Sequence, residues 1–512
     1  MSPHGRPKGE FPLGGTARSA KGAQINAPRL LISAAHKSSG KTTVSVGLCA
    51  AMRERGLIVQ PFKKGPDYID PMWLAEAAGR DCFNLDPYLS GREEIAAAFA
   101  QQASGTDISI VEGNKGLYDG LALDGSNSNA ALARMLGLPV LLVLDAKGMT
   151  RGIAPLILGY QAFDRNIRIA GVVLNNLGGS RHEAKLRAVI EHYTDVAVLG
   201  ALAHEPGLTL AERHLGLTPN LELDDAAQRI RHLGRRVAAQ VDLQRVLDVA
   251  NSARALPQAP RAARCNAAQP PAPAPAPAPV RIGIARDKAF GFYYPDDLAA
   301  LRAAGAELLP FDTLHDARLP SVDGLFIGGG FPEVFMAELQ ANASLRSEIA
   351  AVIKAGMPAY AECGGLMYLA RTLTWQGRTC RMVGAIPGDV TLHERPVGRG
   401  YVRLRPTADH PWPAMADPGA PAGGELLAHE FHYSSLDNLG PGQRFAYRVE
   451  RGHGIDGRHD GLLHRNLLAS YAHLRSVEGA NWPARFVDFV RANQPARRTG
   501  AAQAEPELAA VW

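Results

Sequence analysis

Along most of the chain, short continuous apolar runs alternate with amphipathic stretches of helical period, the pattern of buried parallel strands joined by helices. The first series of runs predicts strands over 29–34, 57–63, 108–112, 139–145 and 169–175. A second series follows over 281–285, 307–310, 324–328 and 358–361. Each series reads as its own α/β domain built on a parallel sheet, and neither repeats the other. Between them runs an alternating Pro–Ala segment, Pro270 to Pro279, preceded by an alanine-rich polar stretch from Asn251. Every second residue there lacks a backbone donor and has a fixed φ, so an extended spacer is expected. The expected organisation is a flexible tail over 1–28, a first domain over 29–250, a linker over 251–280, a second domain over 281–490 and a flexible tail over 491–512. The 512 residues exceed what one hydrophobic core usually supports, in agreement with two domains.

Composition narrows the function classes. With 46% hydrophobic and 21% charged residues the chain reads as soluble and globular. Its formal charge of +5 is small for this length, and many arginines lie near the termini or in 245–264, so nucleic-acid binding is not expected. Nor is a membrane span, since no run of about 18 apolar residues occurs. Five cysteines, at 49, 82, 265, 363 and 380, show neither disulfide-framework nor zinc-site spacing, which fits a reducing cytoplasm.

Candidate chemistry begins at the first strand. The run 30–34 leads into AHKSSGKTT, and 44–51 continues as a helix. Ser39-Gly40-Lys41-Thr42-Thr43 is the functional end of a phosphate-binding loop. Gly40 lets the backbone approach phosphate, Lys41 can reach the β- and γ-phosphates, and Thr42 can place a hydroxyl on Mg²⁺. Ala35 holds the position of the usual first glycine. Glu112 ends the apolar run 108–111, and Asp67 follows the run ending near Lys63, so both are candidate metal ligands; Asp145 also ends a strand, with a capping role as its alternative. KKGPDYIDP, residues 63–71, packs two cations, two acids and two prolines into one loop. Its lysines could hold anionic oxygens, or the loop could be a solvated surface feature.

The second domain carries a different signal. Residues 358–361 form a short apolar strand that ends in Glu362-Cys363-Gly364-Gly365, followed by a helix over 366–371. Strand, sharp turn and helix make the layout of a nucleophile elbow, which exposes a thiol at a helix N-terminus. Upstream, three glycines at 328–330 end another strand and offer Gly329 and Gly330 as oxyanion-hole donors. The nucleophile needs a base, and the 16 histidines leave two neighbourhoods in view: His429-Glu430-Phe431-His432 and Ser470-Tyr471-Ala472-His473. Cys49, Cys82, Cys265 and Cys380 lack an elbow and are expected to have no chemical role.

SSGKTT, FKKGPDYIDPMW, NLDPYL, EGNKGLYDG, RHLGL at 213–217, GGGFPE, AECGGLMYL, HEFHYS and SYAHL together resemble the cobyrinate a,c-diamide synthase family, over roughly residues 28–490. The resemblance implies a dethiobiotin-synthetase-like P-loop ATPase domain followed by a class I-type glutaminase domain. It implies ATP- and glutamine-dependent amidation of the a- and c-acetate carboxylates of a corrinoid, with Mg²⁺, through a phosphorylated carboxylate attacked by ammonia. Carried onto this chain, Cys363 is the nucleophile, His473 sharpens it, Lys41 and Thr42 belong to the phosphate loop, and Glu112 and Asp67 are the acidic positions. His429 and His432 fall in a family motif and are assigned to packing or the domain interface. Lys63, Lys64, Tyr68, Asp70 and Lys115 are the candidate substrate residues, because a polyanionic tetrapyrrole calls for cations and donors near the γ-phosphate. Two departures stand out: Asn114-Lys115 where relatives commonly carry hydrophobic residues, and the long Pro–Ala linker. Amidation of another tetrapyrrole, such as a sirohydrochlorin-type compound or its nickel complex, is the alternative substrate. A regulatory P-loop ATPase fused to a non-catalytic glutaminase-like module is the alternative class. A homodimer is an open arrangement.

Overall fold

The apolar run at residues 29–34 is β1 (Arg29–Ala34), and it is buried along its whole length. Leu30, Ile32 and Ala34 face one layer of helices, while Leu31 packs into the opposite layer with Phe62 and Leu142. A strand covered on both faces needs apolar residues at every position, which is why the run is continuous rather than alternating. In this computed structural model the described residues are 24–25, 27–205, 212–213, 216–257, 279–412 and 424–494. The expected Pro–Ala spacer, nearly all of both tails, part of RHLGL and Cys265 lie outside them.

The first sheet also contains β2 (Val59–Lys64), β3 (Phe83–Leu85), β4 (Ile108–Glu112), β5 (Val140–Asp145), β6 (Ile169–Leu177) and β7 (Val198–Ala203). All seven strands are parallel, in the order β3-β2-β4-β1-β5-β6-β7. The order reverses around β1, so the crevice at the strand ends opens beside the phosphate loop. α1 (Lys41–Glu54) lies over this sheet and is pressed against α2 (Ala226–Gln240), where Gly234 approaches Ala50 and Gly47 approaches Val237.

In the second domain β8 (Val280–Ala285), β9 (Ala306–Phe311), β10 (Gly324–Ile327), β11 (Ala359–Glu362), β12 (Gly398–Pro406), β13 (Leu426–His432), β14 (Arg444–Arg451), β15 (His459–His464) and β16 (Leu467–Ser470) form one nine-stranded sheet. Its order is β9-β8-β10-β11-β16-β15-β14-β12-β13. Strands β9, β8, β10 and β11 pair in parallel, as the apolar runs predict, and β16, which no predicted run covers, adds to them in parallel. The remaining four strands pair antiparallel and extend the sheet beyond anything those runs indicate. Buried and solvent-facing positions mix along β12 and β14, and β13 and β15 carry His, Glu or Asp at buried positions, so no continuous apolar run marks them.

That extension reaches the first domain. Tyr401 on β12 donates its hydroxyl to both oxygens of buried Asp86, at 2.9 and 3.0 Å, and its ring stacks on Tyr88 at 4.1 Å. Arg475, fully buried, hydrogen-bonds the Asn84 carbonyl and pairs with Asp296 at 2.8 Å. The two domains thus meet along the carboxyl ends of their strands. No helix among the described residues is long and apolar enough to cross a membrane.

Candidate active site

β1 delivers the chain into the loop 35–40, and α1 begins at Lys41, so the free amides of its first turn open onto the loop. Gly40 has φ 89°, and a Cβ there would sit 2.1 Å from the Asn175 side-chain nitrogen. Only glycine fits. That amide donates to the Ser39 carbonyl at 3.0 Å and ties β6 to the loop, while the buried Ser39 hydroxyl donates to the His36 carbonyl at 2.9 Å. Lys41 is buried, and desolvation reinforced by Lys63 lowers its ammonium to about 8. Thr42 Oγ1 donates to Glu112 Oε1 at 2.8 Å and to Asp70 at 3.4 Å. Thr43 lines the same cavity.

Lys63, buried at the end of β2, bridges this group. Its Nζ bonds Glu112 Oε1 at 2.8 Å, contacts Asp70 more closely, and lies 3.7 Å from Asp67. Burial disfavours its charge, but Asp70 and Glu112 outweigh burial and hold the ammonium well above its ordinary range. Asp67 is pushed up to about 7 by burial and by Asp70. Its Oδ1 accepts the Ile69 and Asp70 amides at 3.0 and 3.1 Å. Glu112 is wholly buried, its carboxyl raised by that burial, and its Oε2 has no partner among the described residues. This orphaned oxygen, the Thr42 hydroxyl and Asp67 are suited to a hard cation. No group of three or more His, Cys, Asp or Glu forms a ready-made cage among the described residues. A Mg²⁺ ion here would take its other oxygens from phosphate and water.

The remaining substrate candidates divide. Lys64 is buried and donates to the Asn127 carbonyl at 2.6 Å and to Asn114 Oδ1 at 3.3 Å, and burial lowers it to about 8. Lys115 is exposed on the cavity rim, with φ 44°. Tyr68 turns toward the other domain: its ring stacks on Phe292 at 5.3 Å and packs against His473 at 5.2 Å. The loop that carries Asp67 and Asp70 therefore also carries a ring that touches the glutaminase-side histidine.

At the end of β11, Cys363 has φ 46° and ψ −102°, a backbone conformation that non-glycine residues rarely adopt. Its amide donates to the Ser470 carbonyl at 2.7 Å, and α3 (Gly364–Leu369) starts immediately after it. A Cβ on Gly365 would meet the Ile327 carbonyl at 2.1 Å, so the elbow needs a glycine there. Gly330 presents its amide nitrogen to Gly364, and Gly329 lies against the His473 ring. His473 hydrogen-bonds Cys363 and, through Nδ1, Glu362 at 3.2 Å. Burial disfavours its protonation, but those two hydrogen bonds outweigh it and raise the imidazolium to about 10. His429 lies parallel to His473, ring centroids 4.9 Å apart, while His432 stacks on Tyr471 at 3.8 Å. Burial, then His473, drives His429 well below its ordinary value, which leaves it neutral. Cys49 and Cys82 are buried, their thiols raised by desolvation.

One cavity of about 750 Å³ joins the two centres. Lys41, Thr42 and Glu112 line one end, Gly330, Cys363 and His473 the other, with Tyr68 on the wall beside both. Sequence reasoning missed Asn175, Arg399 and Tyr401 on this wall and assigned His429, which also lines it, to packing or the domain interface. Asn175 closes the expected run over 169–175, the one local signal available. Asp145 is turned to Lys147 and Asn176 and does not line the cavity.

Residues 281–480 match the CobB/CobQ-like glutamine amidotransferase domain, and residues 28–212 match an AAA domain. A cobyrinate a,c-diamide synthase of Magnetococcus marinus is 49% identical over 88% of this chain and 95% of its own. Proteins of the same name from Methanosarcina acetivorans and Listeria monocytogenes are 42% and 37% identical, over 88% and 87% of this chain and 93% and 96% of theirs. With identity of this level over seven-eighths of its length, the chain belongs to the cobyrinate a,c-diamide synthase family.

Proposed function

We propose that the chain converts the a- and c-acetate carboxylates of cobyrinate, or of hydrogenobyrinate, into carboxamides at the expense of ATP and glutamine, a step of cobalamin biosynthesis. The observation that carries this reading is the single cavity with a phosphate loop at one end and a cysteine elbow at the other. A regulatory ATPase would have no use for a strained, cavity-facing thiol beside a protonated histidine.

In this reading an acetate oxygen attacks the γ-phosphorus, ADP leaves, and an acyl phosphate forms. Lys41 and the first-turn amides of α1 hold the phosphates, and Thr42, Asp67 and Glu112 hold the cation. Mg²⁺ when bound neutralises charge on the transferring phosphoryl group. Asp70 and Lys63 keep this acidic cluster in place, and Lys63 lies within reach of the incoming carboxylate. Lys64 and Tyr68 shape the wall toward the macrocycle. A neighbouring cavity of about 430 Å³ shares Asn176 and His204 with the main one and has room for the nucleoside. At the other end the Cys363 thiolate attacks the glutamine amide carbon, Gly329 and Gly330 face the oxyanion, and His473 gives its proton to the amide nitrogen as the C–N bond breaks, which releases ammonia. Ammonia then attacks the acyl phosphate and phosphate leaves. Incubation with cobyrinate, glutamine and Mg·ATP should give ADP, glutamate and a product whose mass shows two carboxyls turned to carboxamides. ATP hydrolysis without glutamate or amide would overturn the reading.

Lys115 sits at the rim where an acidic side arm would enter, with its ammonium free to reach it. Lys115→Met should raise the KM for cobyrinate several-fold and change the ratio of activities on cobyrinate and a sirohydrochlorin-type substrate. Identical kinetics on both would leave the residue without a role in selection.

A further inference from the structure

The glutaminase centre contains a carboxylate to which sequence reasoning gave no task. Glu362 precedes the nucleophile, is 2% exposed, and pairs in register with Ser470 at the end of β16. Its Oε2 lies 3.2 Å from His473 Nδ1. Its Oε1 accepts the Leu474 amide at 3.0 Å and the Tyr360 hydroxyl at 2.5 Å. Three donors from two strands therefore fix the carboxylate, and one of them is the ring that contacts the sulfur.

We propose that Glu362 is the positioning acid of the glutaminase site, orienting the His473 ring through Nδ1 so that Nε2 faces the Cys363 sulfur. The inference rests on the glutaminase reading of Cys363 and goes beyond it by completing a Cys–His–Glu relay. The acid comes from the residue beside the nucleophile, so one strand end supplies both the attacking atom and the group that aims its partner. With Nδ1–H committed to the carboxylate, Nε2 carries the exchangeable proton. The thiolate forms a C–S bond to the glutamine amide carbon, and the Nε2 proton moves to the amide nitrogen as the C–N bond breaks. Ammonia leaves and a thioester remains. Water then attacks the thioester, its proton goes to Nε2, and glutamate departs as the C–S bond breaks.

Among the described residues no other acid is in position. The groups facing His473 are Cys363, Glu362, the neutral ring of His429 and the hydroxyl-bearing ring of Tyr68. Arg475, two residues on, is engaged with Asp296 and the Asn84 carbonyl. Glu362 is the anion in contact with the imidazolium.

Glu362→Gln retains the shape and removes the charge. Glutamine-driven kcat should fall at least about 10-fold, within the ~10⁴-fold limit seen when the orienting acid of a triad is neutralised. The KM for glutamine should stay within about 2-fold. The sign of the pH effect follows from the charge: without the anion His473 loses its proton at lower pH, so the alkaline limb of the glutaminase profile moves down. Glu362→Asp should recover part of the loss. Iodoacetamide alkylation of Cys363 against pH, read by peptide mass, tests the same shift without turnover and covers a variant too unstable to assay. An unchanged kcat, or an unchanged alkylation profile in a variant that still amidates with ammonium, would overturn the proposal. Persisting glutamine hydrolysis in Cys363→Ala would instead overturn the reading on which it rests.

Discussion

With Cys363 replaced by alanine, glutamine-driven amidation falls by a factor on the order of 10⁴ to 10⁶, while amidation from added ammonium salts continues. The asymmetry comes from the geometry of the cavity. Cys363 and His473 line the cavity from the second domain, Lys41 and Glu112 from the first. In the proposed mechanism the thiol serves only to release ammonia, and a nucleophile supplied from solution bypasses it. The measurement is product mass with glutamine or ammonium as the nitrogen source, with ADP release monitored in parallel. Loss of both activities in a folded variant would show that the two centres do not divide the labour.

Lys41→Ala is expected to remove amidation from both sources by a factor on the order of 10³, because the cation that meets developing charge on the transferring phosphoryl group is gone. Glu112→Gln should act in the same direction, since a neutral amide is a poor ligand for a hard cation and the substitution also unbalances Lys63. A further check uses pH. The Lys41 ammonium titrates at about 8 in the nucleotide-free protein, so its charge is present below that value and lost above it. ATP affinity in the wild type should therefore weaken as pH rises through about 8. Lys41→Ala should lack that dependence. Near-wild-type ADP formation by Lys41→Ala with ammonium would remove the phosphate loop from the mechanism.

The two loops were legible in the sequence because their chemistry is contiguous. A buried strand, a glycine that permits close approach and a reactive side chain at a helix start lie within a dozen residues at Ser39–Thr43 and again at Glu362–Gly365. What the sequence did not disclose depends on pairing across long separations. His429 and His473 are far apart in the chain and meet because a short antiparallel bridge joins them. Tyr68 reads as a substrate residue of the first domain, and its contacts with Phe292 and His473 of the second are not legible in the sequence. Asp70 and Lys63 read as substrate groups, yet the fold gathers them around Thr42 and Glu112. The antiparallel half of the second sheet escaped notice because its mixed exposure and buried polar residues leave no apolar run.

The shared cavity also sets a concentration. One ammonia molecule confined to about 750 Å³ is present at about 2 M. Ammonium salts at neutral pH supply only a small fraction of their nitrogen as the unprotonated nucleophile. An external source must thus bring free ammonia toward the molar range before it equals one glutamine cleaved inside the protein. The ratio of the two rates, measured at known free ammonia, becomes a gauge of how well the shared cavity retains its small occupant. Substitutions that open the wall at Tyr401 should lower that ratio.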